Sequence, residues 1–268
     1  MEHFEVAAVP GLPETNAETY RVLGVGVHAV QIPGVVLDIE KWIRERQRGH
    51  FIAVTGMHGV VEARHDPEFR GVLNRADLVV PDGMPLVWLG RIRGHALKRR
   101  VYGPELMESF CKQTSAKGYR HFFYGGAPGV ADELATRFAA RFPELTTVGT
   151  YCPPFRALTE KEDMEVIAII NRSRADIVWV GLSTPKQERW MFEHRERLEV
   201  PVLVGVGAAF DFHTKRIAQA PEWMRENGFE WLFRLLHEPR RLWKRYLVYG
   251  SEFAFCAALE LAGLKKFD

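Results

Sequence analysis

Two carboxylates stand where a chain of this pattern can do chemistry. Asp82, in VVPDGMP (79–85), lies just beyond a short apolar run, with Gly83 next to it to permit a sharp turn. A carboxylate there can take a proton from a bound hydroxyl. It can equally cap the helix that Pro85 would open, and pattern alone favours the cap. Asp211, in GVGAAFDF (205–212), also follows an apolar run. It can hold a ribose diol, as acidic groups do in nucleotide folds, or be a buried structural acid.

Groups that can meet an anion stand in similar places. Gly125 and Gly126, in YGGAPGV (124–130), would let backbone N–H groups approach a phosphate at a helix start; a plain tight turn is the alternative. The loop is neither GxGxxG nor a Walker A sequence. In GLSTPKQERW (181–190), Pro185 suits the first turn of a helix, and Lys186 and Gln187 offer donors to phosphate or sugar oxygens. The bland alternative is a solvated helix start. Thr55 and His58 occur in TGMHG (55–59), a hydroxyl and an imidazole, although a lone His is more often structural. Arg100 is a candidate phosphate clamp. Between positions 234 and 245 five Lys/Arg, among them Arg234, Arg241 and Arg245, face one acid, Glu238. Trp231, Leu235, Trp243, Tyr246 and Leu247 interleave with them, which suits an anionic membrane surface or a phosphate-bearing ligand. An amphipathic helix with solvated arginines fits the same spacing.

The elements that must position these groups can be read from the apolar runs. Runs at 20–25, 51–54, 78–80, 121–124, 147–151, 176–181 and 202–206 predict seven strands. Helical patterns at 35–47, 67–74, 85–93, 104–117, 130–141, 159–174 and 186–198 alternate with them. Mostly apolar strands separated by helices predict a mostly parallel sheet covered on both faces. In such sheets ligands bind in the loops beyond the strand carboxyl ends. The singled-out residues before 216 fall in or near those loops. The chain divides into an N-terminal arm (1–19), an α/β core (20–215) and a helical, basic and aromatic appendage (216–268).

Bulk properties narrow the classes. The chain has 268 residues, 47% of them hydrophobic and 26% charged, enough for a sizeable core. A net charge of +2 gives no case for a nucleic-acid binder. Three dispersed cysteines suggest neither a zinc site nor a disulfide framework and fit a reducing compartment. The first 19 residues lack a basic stretch followed by a long apolar run, so no signal peptide is expected. The longest apolar stretch, 253–264, is too short to span a bilayer and contains Glu260. The exposed aromatic appendage also fits contacts within a homo-oligomer.

The segments ADLVVPDGMP (76–85), RVYGPEL (100–106), FFYGGAPGV (122–130), VGLSTPKQERW (180–190), GVGAAFDF (205–212), APEWM (220–224) and the 230–246 basic stretch occur in this order. Together they resemble the WecG/TagA/CpsF family of bacterial glycosyltransferases over about residues 20–250. The resemblance implies a Rossmann-like fold of the GT-E type and an inverting, metal-independent transfer without a cofactor. The donor would be a UDP-sugar and the acceptor a polyprenyl-diphosphate-linked sugar, at the cytoplasmic face of the plasma membrane, in polysaccharide or exopolysaccharide assembly. It implies that Asp82 is the base, and that Thr55, Arg100, Gln187 and Asp211 match the family's donor-site positions. Arg234, Arg241 and Arg245 match arginines that close over the site and engage the acceptor diphosphate. Three positions depart from the family pattern: Met57 for Asn, Glu105 for Asp and Gln219 for Arg. They leave the reaction type standing and bear on which sugar is handled. His58 and the DGMP form are closer to exopolysaccharide-type members. An epimerase or dehydrogenase would normally carry GxGxxG after the first strand, and LGVGVH (23–28) lacks that spacing. A membrane-docking module without catalysis is the reading from another class.

Overall fold

The computed structural model describes residues 17–267. Most of the expected arm lies outside them, and its last residue, Thr19, already belongs to a strand.

The run at 20–25 does not join the main sheet. It breaks at Leu23 and Gly24, both at positive φ (49° and 85°), into β1 (Thr19–Val22) and β2 (Val25–His28). These pair antiparallel as a hairpin with a two-residue turn, the turn length whose twist matches paired strands. The order then runs α1 (Ile32–Arg44), β3 (His50–Thr55), α2 (Met57–His65), α3 (Pro67–Leu73), β4 (Leu78–Pro81), α4 (Met84–Ile92), α5 (Gly103–Thr114), β5 (Arg120–Gly125) and α6 (Val130–Arg141). It continues through β6 (Thr146–Tyr151), α7 (Glu160–Ser173), β7 (Ile177–Gly181), α8 (Lys186–His194), β8 (Val202–Gly205) and α9 (Ala209–His213). The C-terminal stretch holds α10 (Glu222–Glu226), α11 (Glu230–His237), α12 (Pro239–Trp243), a wider helical turn at Lys244–Val248 and α13 (Tyr249–Leu261).

Strands β3 to β8 form one parallel six-stranded sheet in the order β4-β3-β8-β7-β5-β6. Its apolar residues alternate between two faces, as the period of a strand requires. Ile177 and Trp179 of β7 and Val202 and Val204 of β8 point to the side covered by α1, α5 and α6, with Ile39, Phe110 and Leu134. Val178, Val180 and Leu203 point to the side of α7 and α8, with Val166, Ile170 and Met191. Both faces are buried, so the fold is α/β, Rossmann-like and parallel.

Helix α2 was not foreseen in the TGMHG patch. Gly59 lowers helix propensity in its first turn. The glycine fits because a Cβ there would lie 3.0 Å from Thr55 Oγ1 and 3.3 Å from Thr184 Cγ2. Helix α13 closes a third cluster, burying Phe253, Cys256 and Ala257 beside the hairpin, α2 and α4. Its Glu260 accepts from Arg93 at 2.7 Å and from the Leu23 amide at 3.4 Å, which accounts for an acid inside that apolar stretch. Among the described residues no helix is long and apolar enough to cross a membrane.

Candidate active site

The parallel sheet aligns the carboxyl ends of β4, β3, β8 and β7 side by side, and the loops beyond these four neighbouring strands build one cleft of about 370 Å³. Asp82 enters from β4, Gly56 and His58 from β3, Ser183, Thr184 and Gln187 from β7, and Gly207, Ala208 and Asp211 from β8. The β3 and β4 loops touch. Asp82 N–H donates to the Thr55 carbonyl at 2.8 Å, and a Cβ on Gly56 would stand 2.6 Å from the Asp82 carbonyl oxygen. Only glycine permits that approach.

Asp82 does not cap α4, whose N-cap is Gly83 without a side-chain bond. The Asp82 Oδ1 atom is buried and has no hydrogen-bond partner. Its nearest ion-pair contact is Arg100, at 4.0 Å. Burial pushes the carboxyl up to about 6. Arg100, Arg245 and Arg234 pull it down, and Glu230 pushes it further up. Asp82 is thus an ionisable acceptor poised close to neutral pH, as a general base needs to be.

The opposite wall comes from the C-terminal helices. Arg234, Arg241, Lys244 and Arg245 line the same cleft. Arg234 lies over the Phe212 ring at 5.4 Å, and its Nε is buried without a partner. Arg241 is held by Glu238 three residues earlier, at 2.7 Å. Arg245 is half-buried; desolvation lowers its pKa, but a guanidinium stays charged at neutral pH. Four cations around one cleft make a place for a polyanion. Across from these cations, on the β8 side, Asp211 is half-buried, its carboxyl raised by burial and lowered by Arg241 and Arg216.

The other singled-out residues are placed differently. Gln187 lines the cleft with its amide already engaged. Its Oε1 accepts from the Gly207 N–H at 2.9 Å, and its Nε2 donates to Glu188 at 3.0 Å, tying the β7 loop to the β8 loop. Thr55 is fully buried beneath Gly59 and Thr184, and its Oγ1 has no partner. Arg100 stands behind Asp82. It pairs with Glu230 and lies over the Tyr102 ring at 4.0 Å, facing a second cleft of about 280 Å³ between α4 and α10.

Gly125 and Gly126 are not brought to the cleft. Their loop follows β5, beyond β7 and outside the four strands that build it. Their geometry is met by packing: Gly125 (φ +130°) would place a Cβ 2.5 Å from the Gly181 oxygen, and Gly126 (φ +77°) one 2.8 Å from Val130 Cβ. None of the three family departures lines the cleft either. Met57 faces Gly250, Glu105 pairs with Arg99 at 3.1 Å, and Gln219 borders a separate cleft of about 740 Å³.

Acids that the sequence pattern does not single out also stand at or behind the cleft, Glu62 lining it. Glu230 is buried, pairs with Arg100 and accepts from the Tyr102 hydroxyl at 3.0 Å. Glu188 is buried and accepts from Thr184 Oγ1 at 2.7 Å. Both stand inside motifs already singled out, but only a fold tells a buried acid from a solvated one. Among the described residues no group of three or more His, Cys, Asp or Glu is placed to hold a metal ion.

A Rossmann-like parallel sheet with a carboxylate facing a wall of arginines at its strand ends is the arrangement of a site that can handle phosphorylated substrates. The model of the Glycosyl transferase WecG/TagA/CpsF family matches residues 20–266, and the chain belongs to that family. It is 31% identical over 217 residues to an N-acetylglucosaminyldiphosphoundecaprenol N-acetyl-beta-D-mannosaminyltransferase of Bacillus spizizenii, covering 81% of this chain and 82% of that one. It is 27% identical over 212 residues to the enzyme of the same name from Bacillus subtilis, covering 78% and 79%.

Proposed function

We propose that this glycosyltransferase moves a sugar from a UDP-sugar to a sugar carried on polyprenyl diphosphate, with inversion at the anomeric carbon. The observation that carries this reading is Asp82, half-buried with its Oδ1 shielded and without a hydrogen bond, in a cleft walled by Arg234, Arg241 and Arg245. The acceptor class is the one stated in the relatives' names.

The chemistry follows from the placement. The acceptor hydroxyl oxygen attacks the anomeric carbon as the bond to the UDP oxygen breaks. The proton goes to Asp82 and the electron pair leaves with UDP. The charge that grows on the leaving diphosphate meets cations already fixed around the cleft, which need no reorganisation at the moment of transfer. Asp211 takes the ribose. Gln187 shapes the nucleotide wall by holding the Gly207 amide, and Thr55, its hydroxyl buried without a partner, packs beneath Gly59. Arg100 acts on Asp82, keeping its carboxyl from rising further. Gly125 and Gly126 hold the neighbouring β5 loop, which makes them structural in this reading.

The C-terminal residues 216–268 serve as the acceptor-facing unit of a peripheral enzyme at the cytoplasmic membrane face. Their exposed Trp223, Trp231, Leu236, Trp243 and Leu247 support contact with lipid, and equally with a second copy of the chain. The test is UDP release by the purified protein over a panel of UDP-sugars with short-chain polyprenyl-diphosphate-sugar acceptors, with and without EDTA. Acceptor-dependent release that survives EDTA is expected. Folded protein that releases no UDP with any pair would refute the reading.

A further inference from the structure

One polar group in the cleft has no place in the mechanism above. His58 lies in the first turn of α2 and lines the cleft, and its Nδ1 is buried without a partner. Its other nitrogen, Nε2, stands 3.4 Å from the Glu62 carboxylate one helical turn on. The nearby Glu62 charge raises the Tyr249 hydroxyl pKa, after the larger effect of burial. The Tyr249 ring stacks on the imidazole at a centroid distance of 5.3 Å. The side chain is thereby clamped from α2 on one edge and from α13 on one face.

This arrangement favours one tautomer. The Glu62 carboxylate stands 3.4 Å from Nε2, so the ring hydrogen is better placed on Nε2, and Nδ1 is left with its lone pair. Burial, helped by the positive charge of Arg245, holds the imidazole pKa down to about 4, so the ring is neutral at physiological pH. A neutral ring with its hydrogen on Nε2 can only accept at Nδ1. A shielded acceptor without a donor is unfavourable, and a donor that arrives with substrate removes that cost.

We infer that His58 Nδ1 accepts a hydrogen bond from a hydroxyl or acylamino N–H of a bound sugar and so helps to select which sugar is handled. The inference rests on the glycosyl-transfer reading of this cleft. His58 differs from Asp82 in that it takes no proton: it reads the substrate, and Glu62 and Tyr249 hold it in register. A site built to bond a polar group discriminates strongly against an analogue lacking it, because its own acceptor is then left unpaired.

The experiment compares the native enzyme with His58→Phe, His58→Asn and Glu62→Gln, all in the full chain. Phe keeps the ring that stacks on Tyr249 but has no acceptor. Asn offers an amide oxygen close to the position of Nδ1. Native acceptor-dependent UDP release is measured first. Its absence across the panel would overturn the glycosyl-transfer reading and this inference with it. With native turnover established, His58→Phe is expected to lower kcat/KM about tenfold with an unchanged melting temperature, as loss of one buried hydrogen bond implies. His58→Asn should recover at least about threefold of that loss. Glu62→Gln, which frees the tautomer, should fall between native and His58→Phe. Single-deoxy donor and acceptor sugars then identify the group contacted: for one of them, native and His58→Phe should converge. Two outcomes would overturn the inference while leaving the transferase reading intact. One is His58→Phe turning over like native. The other is His58→Phe and His58→Asn losing activity equally, with no deoxy sugar that brings native and Phe variant together.

Discussion

Asp82→Asn is expected to cost turnover and raise stability at the same time. The carboxyl has moved from its ordinary 3.8 to about 6. That displacement corresponds to about 3 kcal/mol favouring the neutral form in the folded protein. The sign follows from linkage. A carboxyl whose folded pKa is raised lets the folded state hold its proton more tightly than the unfolded chain. Its contribution to stability is full below 3.8, falls as pH climbs to about 6, and stays lost above that. Asn is neutral at every pH, so the variant should gain up to about 3 kcal/mol at pH 8, about half of that at pH 5, and nothing below the ordinary carboxyl range. The Asp82 side chain keeps 29% of its surface open, which makes the figure an upper bound. For a chain of this size, thermal denaturation at pH 8 should show a rise of up to about 6 °C. Turnover should fall about 10²- to 10⁴-fold, the usual span for loss of a general base. In the native enzyme kcat/KM should drop about tenfold per pH unit below about 6. Turnover of Asp82→Asn within a few-fold of native would refute the base assignment. A melting advantage that does not change between pH 8 and pH 5 would refute the account of its pKa.

Further outcomes follow from the groups around it. Glu230→Gln removes a negative charge that raises Asp82, so the acid limb of kcat/KM should move below 6; pH profiles of native and variant decide it. Arg245→Gln removes a cation that lowers Asp82, so the limb should move upward while turnover falls. Arg241→Gln breaks a surface pair with Glu238, worth about 1 kcal/mol at most, and removes a cation near Asp211. It should therefore raise the donor or acceptor KM with almost no change in melting temperature. Gly125→Ala would set a Cβ 2.5 Å from the Gly181 oxygen at φ +130°. A loss of about 2 kcal/mol or more is expected in denaturant unfolding, the scale of backbone strain at such a position.

What could be read in the sequence was local. Apolar runs of strand length alternating with helical periods were enough for a parallel sheet with both faces covered, because alternation and the need to bury both faces leave few architectures. The helix read at 130–141 coincides with α6, and the six runs from 51 to 206 each became a strand of the sheet. The 20–25 run misled because its apolar character is the same in a hairpin as in a sheet strand; only the positive φ at Leu23 and Gly24 folds it back.

The site was legible as a set of strand-end loops, and strand order then sorted them. Loops after β4, β3, β8 and β7 share a cleft because those strands are neighbours, and the Gly125–Gly126 loop is left out because β5 lies on the far side of β7. Pattern alone favours a helix cap for Asp82 over a ligand-facing role, although either reading needs the same residue before the same proline. The N-cap at Gly83 shows that it does not cap, and burial, with Arg100, Glu230, Arg245 and Arg234 drawn from distant segments, sets its pKa. A residue's type and its place beyond a strand are properties of the local sequence. Its desolvation and its charged neighbours arise only when remote segments meet, so the sequence named the chemical groups and the tertiary structure decided which of them share one cleft and in what protonation state.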